Sequence, residues 1–107
     1  TGTCAAVRET GMFNVNLLQG DGGPVAMRFA GAGGVTGPAK FAAGDWREDA
    51  RGLPILRDAV VGFSCVVTEC TDAGSHSIFI GRIDEIAFGE GEALIYEQSR
   101  FHRLQPL

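Results

Sequence analysis

The sequence has no apolar run of about 18 residues, the length a membrane-spanning helix needs, and no visible signal-peptide pattern. It has no basic excess either: 9 Lys and Arg stand against 13 Asp and Glu, for a net charge of −4. That removes the electrostatic footprint expected for nucleic acid or an anionic membrane. Charges are interspersed rather than blocked into a tail. No Cys-x-x-C occurs, and the two histidines, His76 and His102, lack spaced cysteine partners, which argues against zinc. The three cysteines, Cys4, Cys65 and Cys70, are odd in number, which disfavours a disulfide framework and favours a reducing cytoplasm. On a regular strand Cys65 and Cys70 would face opposite sides, and they read as small buried hydrophobes rather than ligands. There is no internal repeat. The glycine run at 31 to 37 lacks the Lys-Ser/Thr ending of a phosphate loop. No Ser-His-Asp order or close carboxylate pair suggests hydrolysis. The chain starts at Thr1 rather than Met, which reads as a truncated or processed N-terminus.

What is present fits one domain over residues 1–107. A chain of this length buries only about 65% of its unfolded surface, so a dimer interface would help it. Thr3 to Thr10 reads as a helix with Thr3 as N-cap and Gly11 as its stop, Ala6 and Val7 facing a core. In Met12 to Leu18, Phe13, Val15 and Leu17 alternate with Asn14 and Asn16, predicting a half-buried strand. Asp21 to Ala30 reads as a helix capped by Asp21 with Pro24 in its first turn. Pro38 to Ala43 allows one more helical turn, with Phe41 inward, and Asp45 to Gly52 reads as a loop around Trp46. Pro54 makes Leu53 to Leu56 an edge segment. Ala59 to Thr71 and Ser77 to Phe88 are long strands joined by a turn at Asp72-Ala73-Gly74. The alternation in the second breaks at Ile83, Ile86 and Phe88, which points to a bulge or to burial on both faces. Ala93 to Tyr96 and Phe101 to Leu104 are short strands. This order predicts an α+β chain, mainly β, closing wholly or partly into a barrel.

Three clusters offer chemistry, and each also has a plain structural reading. His76, in Gly74-Ser75-His76-Ser77, sits at a turn where it can donate to a ligand carbonyl or phosphate, or simply face solvent. Ser99-Arg100-Phe101-His102-Arg103 combines a guanidinium fork with a stacking face, or is an amphipathic closing strand. Thr1-Gly2-Thr3 at a helix start suits an anion, or is ordinary capping. Phe41, Trp46 and Tyr96 could stack on a planar ligand or fill a core. These residues alone reach no reaction.

Their order reaches further. Gly74-Ser75-His76-Ser77-Ile78-Phe79-Ile80-Gly81-Arg82-Ile83 resembles the Gly-Asp-His-x-Ile-x-x-Gly-x-Val pattern of the short-chain flavin reductases, the reductase components of two-component flavin monooxygenases. Ala93-Leu94-Ile95-Tyr96 and Ser99-Arg100-Phe101-His102-Arg103-Leu104 resemble that family's Pro-Leu-x-Tyr and Gly-Arg-Tyr-x-x-Leu. Phe13-Asn14-Val15-Asn16-Leu17-Leu18 is similar to its Phe-x-Val-Asn-x-Leu, and Phe29-Ala30, Lys40-Phe41 and Trp46 match further landmarks. Ser75 departs from the usual acidic residue, and the family's first strands have no counterpart here.

The resemblance implies a Greek-key split β-barrel with short helices, lacking its N-terminal strands, that forms a homodimer with flavin near the interface. It implies an NAD(P)H:flavin oxidoreductase that reduces FMN or FAD with NADH or NADPH and supplies the product to a partner monooxygenase. Hydride would pass from nicotinamide C4 to flavin N5, leaving the protein to stack and orient two rings. Thr1 and Thr3 would meet the flavin phosphate. Ser75 joins the cofactor-binding set, His76 would lie near the rings as the catalytic group, and Arg100, Phe101 and His102 would line the same pocket. A flavin carrier or sensor, and a structural β-barrel interaction module, are the alternatives.

Overall fold

The structure is a computed structural model that describes residues 2–107. The chain is mainly β. Helix α1 spans Gly2–Thr10, strand β1 Met12–Leu17 and helix α2 Gly23–Phe29. Two short 3₁₀ turns, Ala32–Gly34 and Gly37–Ala42, follow. Then come β2 (Trp46–Glu48), β3 (Pro54–Leu56), β4 (Val61–Ala73), β5 (His76–Phe88), β6 (Ile95–Glu97) and β7 (Arg100–His102). They form a three-stranded antiparallel sheet in the order β1-β4-β5 and two hairpins, β2–β3 and β6–β7.

Gly11 ends α1 at φ +69°, its N–H bonding the Val7 carbonyl at 2.8 Å, because a left-handed residue there satisfies a last-turn carbonyl. The helix begins one residue before Thr3, so Thr3 lies in its first turn rather than capping it. Val7 is buried and Ala6 exposed. Asp21 does not cap α2 either. Gly22 holds the N-cap position and no side chain caps it, while Pro24 occupies the first turn as expected. Trp46 lies in a strand rather than a loop, because β2 pairs with β3 from Trp46↔Leu56 to Glu48↔Pro54.

The β4–β5 turn falls one residue later than expected, at Gly74-Ser75. Gly74 has φ +60°, the left-handed conformation that a two-residue hairpin turn favours. Two bulges interrupt this hairpin. Thr68 is extra on β4 between Val67↔Gly81 and Glu69↔Ile80, and Asp84 is extra on β5 between Cys65↔Ile83 and Ser64↔Glu85. Each bulge reverses the side-chain alternation of its strand. Cys65 and Cys70, paired with Ile83 and Phe79, therefore share one face despite their odd spacing. Cys65 is buried as expected, but Cys70 is exposed, so the expectation of two buried thiols holds for one of them. Past Asp84, Ile86 and Phe88 return to the face of Ile83.

That face carries three cross-strand rows: Phe13–Cys65–Ile83, Val15–Phe63–Ile86 and Leu17–Val61–Phe88. Much of it is open to solvent, with Val15 37%, Leu17 40%, Ile86 44% and Phe88 86% exposed. The opposite face is more polar and more covered. There Asn14 and Asn16 dock the β2–β3 hairpin. Asn14 Nδ2 and Asn16 Nδ2 donate to the Pro54 carbonyl at 3.2 and 3.3 Å, and Asn16 Oδ1 accepts from the Leu56 N–H at 3.0 Å. The polar side of β1 is thus more covered than Val15 and Leu17, the reverse of what the alternation suggests. Ile55, Leu56, Ala59, Cys65 and Val7 are the buried apolar residues, with Asp49 and Ser64 buried among the polar ones.

Candidate functional site

A cavity of about 520 Å³ opens between α1, the start of β1 and the tip of the β4–β5 hairpin. Its lining includes Thr3 and Cys4 from α1, Phe13 and Asn14 from β1, and Ser75 and His76 from the hairpin tip. Volume and mixed lining are those of a small-molecule or cofactor site. Helix and hairpin are pinned together by Arg8. Its guanidinium pairs with Asp72, donates to Ser77 Oγ at 2.8 Å and lies 5.7 Å from the Phe79 ring centroid. Ser77 Oγ in turn donates to Asp72 Oδ1 at 2.8 Å. Hydrogen bonds from Ser77 and then Arg8 hold the Cys4 thiol below its ordinary range, and the same two residues lower Asp72.

A second cavity of about 410 Å³ shares Thr3 and Asn14 with the first and runs on to Asn16, Phe29, Phe41 and Trp46. The three rings form one cluster, with centroids 5.0 Å apart for Phe29–Phe41, 5.4 Å for Phe29–Trp46 and 5.0 Å for Phe41–Trp46. Trp46 Nε1 donates to the Ala43 carbonyl at 2.8 Å, which fixes the indole. Phe41 is only partly inward, at 40% exposed.

The sequence-selected residues divide between places. Thr3, Ser75 and His76 meet at the first cavity. Thr1 lies outside the described residues. Phe101 packs against Tyr96, with centroids 5.1 Å apart, at a separate apolar cavity under α2. His102 Nε2 lies 3.1 Å from the Glu97 carbonyl oxygen and 3.5 Å from Glu97 Oε2, within its own hairpin. Arg100 is an exposed strand residue. Within one chain, then, Arg100, Phe101 and His102 do not line the pocket of His76, because the β6–β7 hairpin is a separate sheet.

Sequence reasoning missed the network behind the cavity wall. Asp49, 8% exposed, accepts from Asn14 Nδ2 at 2.9 Å, Ser64 Oγ at 2.9 Å, and the Arg51 and Leu53 N–H groups at 2.8 and 3.0 Å. Burial alone would raise its pKa. The donors from Asn14, Leu53, Arg51 and Ser64 outweigh that and hold it far below the usual carboxylate range. The only hint in the sequence was an aspartate in an otherwise ordinary polar loop. Among the described residues no group of three or more His, Cys, Asp or Glu gathers as a metal site, and no helix is long and apolar enough to cross a membrane.

A family model described as "Flavin reductase like domain" matches residues 1–105. The chain belongs to the flavin reductase-like domain family. An NADH-dependent flavin reductase from a Rhodococcus species is 34% identical over 101 residues, covering 94% of this chain and 54% of that protein. The 4-hydroxyphenylacetate 3-monooxygenase reductase component of Pseudomonas aeruginosa is 35% identical over 99 residues, 92% of this chain and 58% of that one. Among solved structures, BorF, the flavin reductase component of a bacterial two-component tryptophan halogenase, superimposes with a TM-score of 0.85 at 30% identity. That match covers 100% of this chain and 68% of the other. The flavin reductase-like chain thus spans about half the length of the curated relatives it matches. Its first cavity suits a flavin in kind. Thr3, Ser75 and Ser77 supply hydroxyls, Phe13 and Phe79 ring surfaces, and His76 an imidazole.

Proposed function

We propose that this chain is the flavin-binding part of an NAD(P)H:flavin oxidoreductase that supplies reduced flavin to a partner monooxygenase. The observation that carries the reading is the meeting of Thr3, Ser75 and His76 at one cavity of a flavin reductase-like domain. The relative named as NADH-dependent favours NADH as the donor, with FMN or FAD as acceptor. When bound, the flavin supplies the hydride-accepting ring. The chain's own residues orient and enclose. Thr3, in the first turn of α1, offers its hydroxyl and the helix start to a phosphate. Phe13 and Phe79 offer apolar surface, and His76 is an exposed donor at the hairpin tip that steadies a ring carbonyl. No general base is required.

Residues 1–107 act as one domain in this reading, within a Greek-key split barrel. The open Val15–Phe63–Ile86 face is the surface that a second copy or further chain of the same protein would cover, which favours a homodimer. Arg100, Phe101 and His102 then reach a flavin only across that assembly. A cytoplasmic setting is part of this reading, favoured by the odd count of three cysteines.

The test is flavin-dependent loss of NADH absorbance with FMN or FAD, for this chain and for a form extended upstream. Oxidation above the flavin-free background supports the reading. Flavin binding without oxidation in either form replaces it with the carrier, and absence of flavin binding leaves the structural module. His76→Ala is expected to lower kcat with NADH about tenfold, the worth of one orienting hydrogen bond, with a smaller change in flavin Kd. Unchanged kinetics would remove His76 from the site.

A further inference from the structure

The β4–β5 hairpin reaches past the rest of its sheet. β1 pairs with β4 only from Val61 to Val66, and the Gly11 carbonyl accepts the Val67 N–H at 2.9 Å just beyond. From Glu69 to Ala73 and from His76 to Ile80 the two strands pair with each other alone, among the described residues. A two-stranded ribbon is marginal without further support. The Thr68 bulge lies where the ribbon leaves the sheet, and a bulge bends its strand. Strand pairing therefore does not by itself fix where the tip, with Ser75 and His76, comes to rest.

Arg8 holds the ribbon from α1. Its guanidinium meets Asp72 and Ser77, which are paired across the ribbon, and lies over Phe79, two residues from Ser77 and so on the same face. The next rung outward, Ala73↔His76, carries the imidazole. An exposed ion pair alone contributes little, and these side chains are 43% and 70% exposed. A planar fork that bonds two groups and rests on a ring does more, because it fixes an orientation as well as a distance. We propose that Arg8, outside the cavity, is a positioning residue for turnover: by clasping the ribbon to α1 it sets the reach of His76 toward a ring whose phosphate lies at Thr3. The proposal rests on the flavin reductase reading above. Thr3 and His76 belong to two elements, and a small error in their spacing is enough to misalign a reacting ring.

Arg8→Ala and Asp72→Ala release the clasp from its two ends. Arg82→Gln is the control, because it removes an exposed guanidinium of the same hairpin, bonded to Asp84 at 2.7 Å, that lines no part of the cavity. In the flavin-free protein, amide exchange over residues 69–80, read by mass spectrometry, is expected to quicken about threefold or more in both clasp variants and to keep its wild-type rate in Arg82→Gln. At saturating flavin and NADH, kcat is expected to fall about fivefold in each clasp variant with flavin Kd within about twofold, as loss of one orienting hydrogen bond implies. In a His76→Ala background either clasp variant should lower kcat by no more than about a further twofold, since Arg8 acts through the imidazole. A merely structural role would cost the same in both backgrounds. Cys4 is bonded by Arg8 and Ser77, so a loss in Arg8→Ala that Asp72→Ala does not share would run through the thiol and overturn the proposal. Asp72→Ala, at a carboxylate 70% exposed, also answers if Arg8→Ala does not fold. Unchanged exchange or unchanged kcat in both clasp variants, or full additivity with His76→Ala, would overturn the proposal while wild-type turnover stands. A wild-type protein that oxidises no NADH with either flavin would overturn the reductase reading and this inference with it.

Discussion

The buried carboxylate of Asp49 carries a pH dependence whose sign follows from its donors. Its folded pKa lies below the ordinary value of about 3.9, so folding favours the charged form. That contribution is present in full above the ordinary carboxylate range and is lost as pH falls from that range toward the lower folded value. Asp49→Asn should therefore be less stable than wild type near neutrality, by about 1–3 kcal/mol for the unsatisfied donors. The gap should narrow as the solution is acidified, in urea unfolding followed by circular dichroism. A gap constant with pH would mean that the charge is not what the network holds. The residues that sequence could name were those with a turn or a motif to mark them. His76 and Ser75 sit on the turn, and Thr3 at the helix start. Asp49, Asn14 and Ser64 carry no local signal as a group, because the bonds that join their side chains span 35 and 15 residues. Asn16, whose partners on β3 lie 38 and 40 residues on, is hidden for the same reason.

At the level of elements, the tight β6–β7 turn is the strained one. Gln98 and Ser99 both have positive φ, 49° and 60°, the left-handed conformation that glycine adopts without cost. Ser99→Gly should stabilise the chain by about 1 kcal/mol, read as a raised thermal midpoint. No gain would mean that the serine has compensating contacts. Strands and helices were mostly legible from periodicity. Both long strands, α1 and α2 appear where the pattern puts them. The exceptions are instructive. Bulges at Thr68 and Asp84 reset which side chains share a face, and a period of two cannot foresee an inserted residue, although the broken alternation at Ile83 to Phe88 flagged one. Trp46 looked like loop because a three-residue strand carries almost no periodic signal.

For the molecule as a whole, alternation in β1 identified the apolar face but not its fate. Phe13, Val15 and Leu17 lie on one side as expected, yet the side that packs is the asparagine side, because the β2–β3 hairpin docks there by polar bonds. The open apolar rows make self-association the expected behaviour. Ile86→Lys, at the end of the Val15–Phe63–Ile86 row, should weaken it about tenfold or more by sedimentation while leaving the fold intact, since Ile86 is already 44% exposed. Association unaffected by that change would move the interface elsewhere. The Arg8–Asp72 clasp has a further bearing, on synthesis. It joins residues 64 apart in sequence, and the cavity it braces is lined from Thr3 to Phe79. A nascent chain therefore carries one wall of the pocket on α1 long before the other leaves the ribosome. Until the hairpin tip emerges, α1 holds only one wall of this pocket, and the cavity is completed once Phe79 has followed.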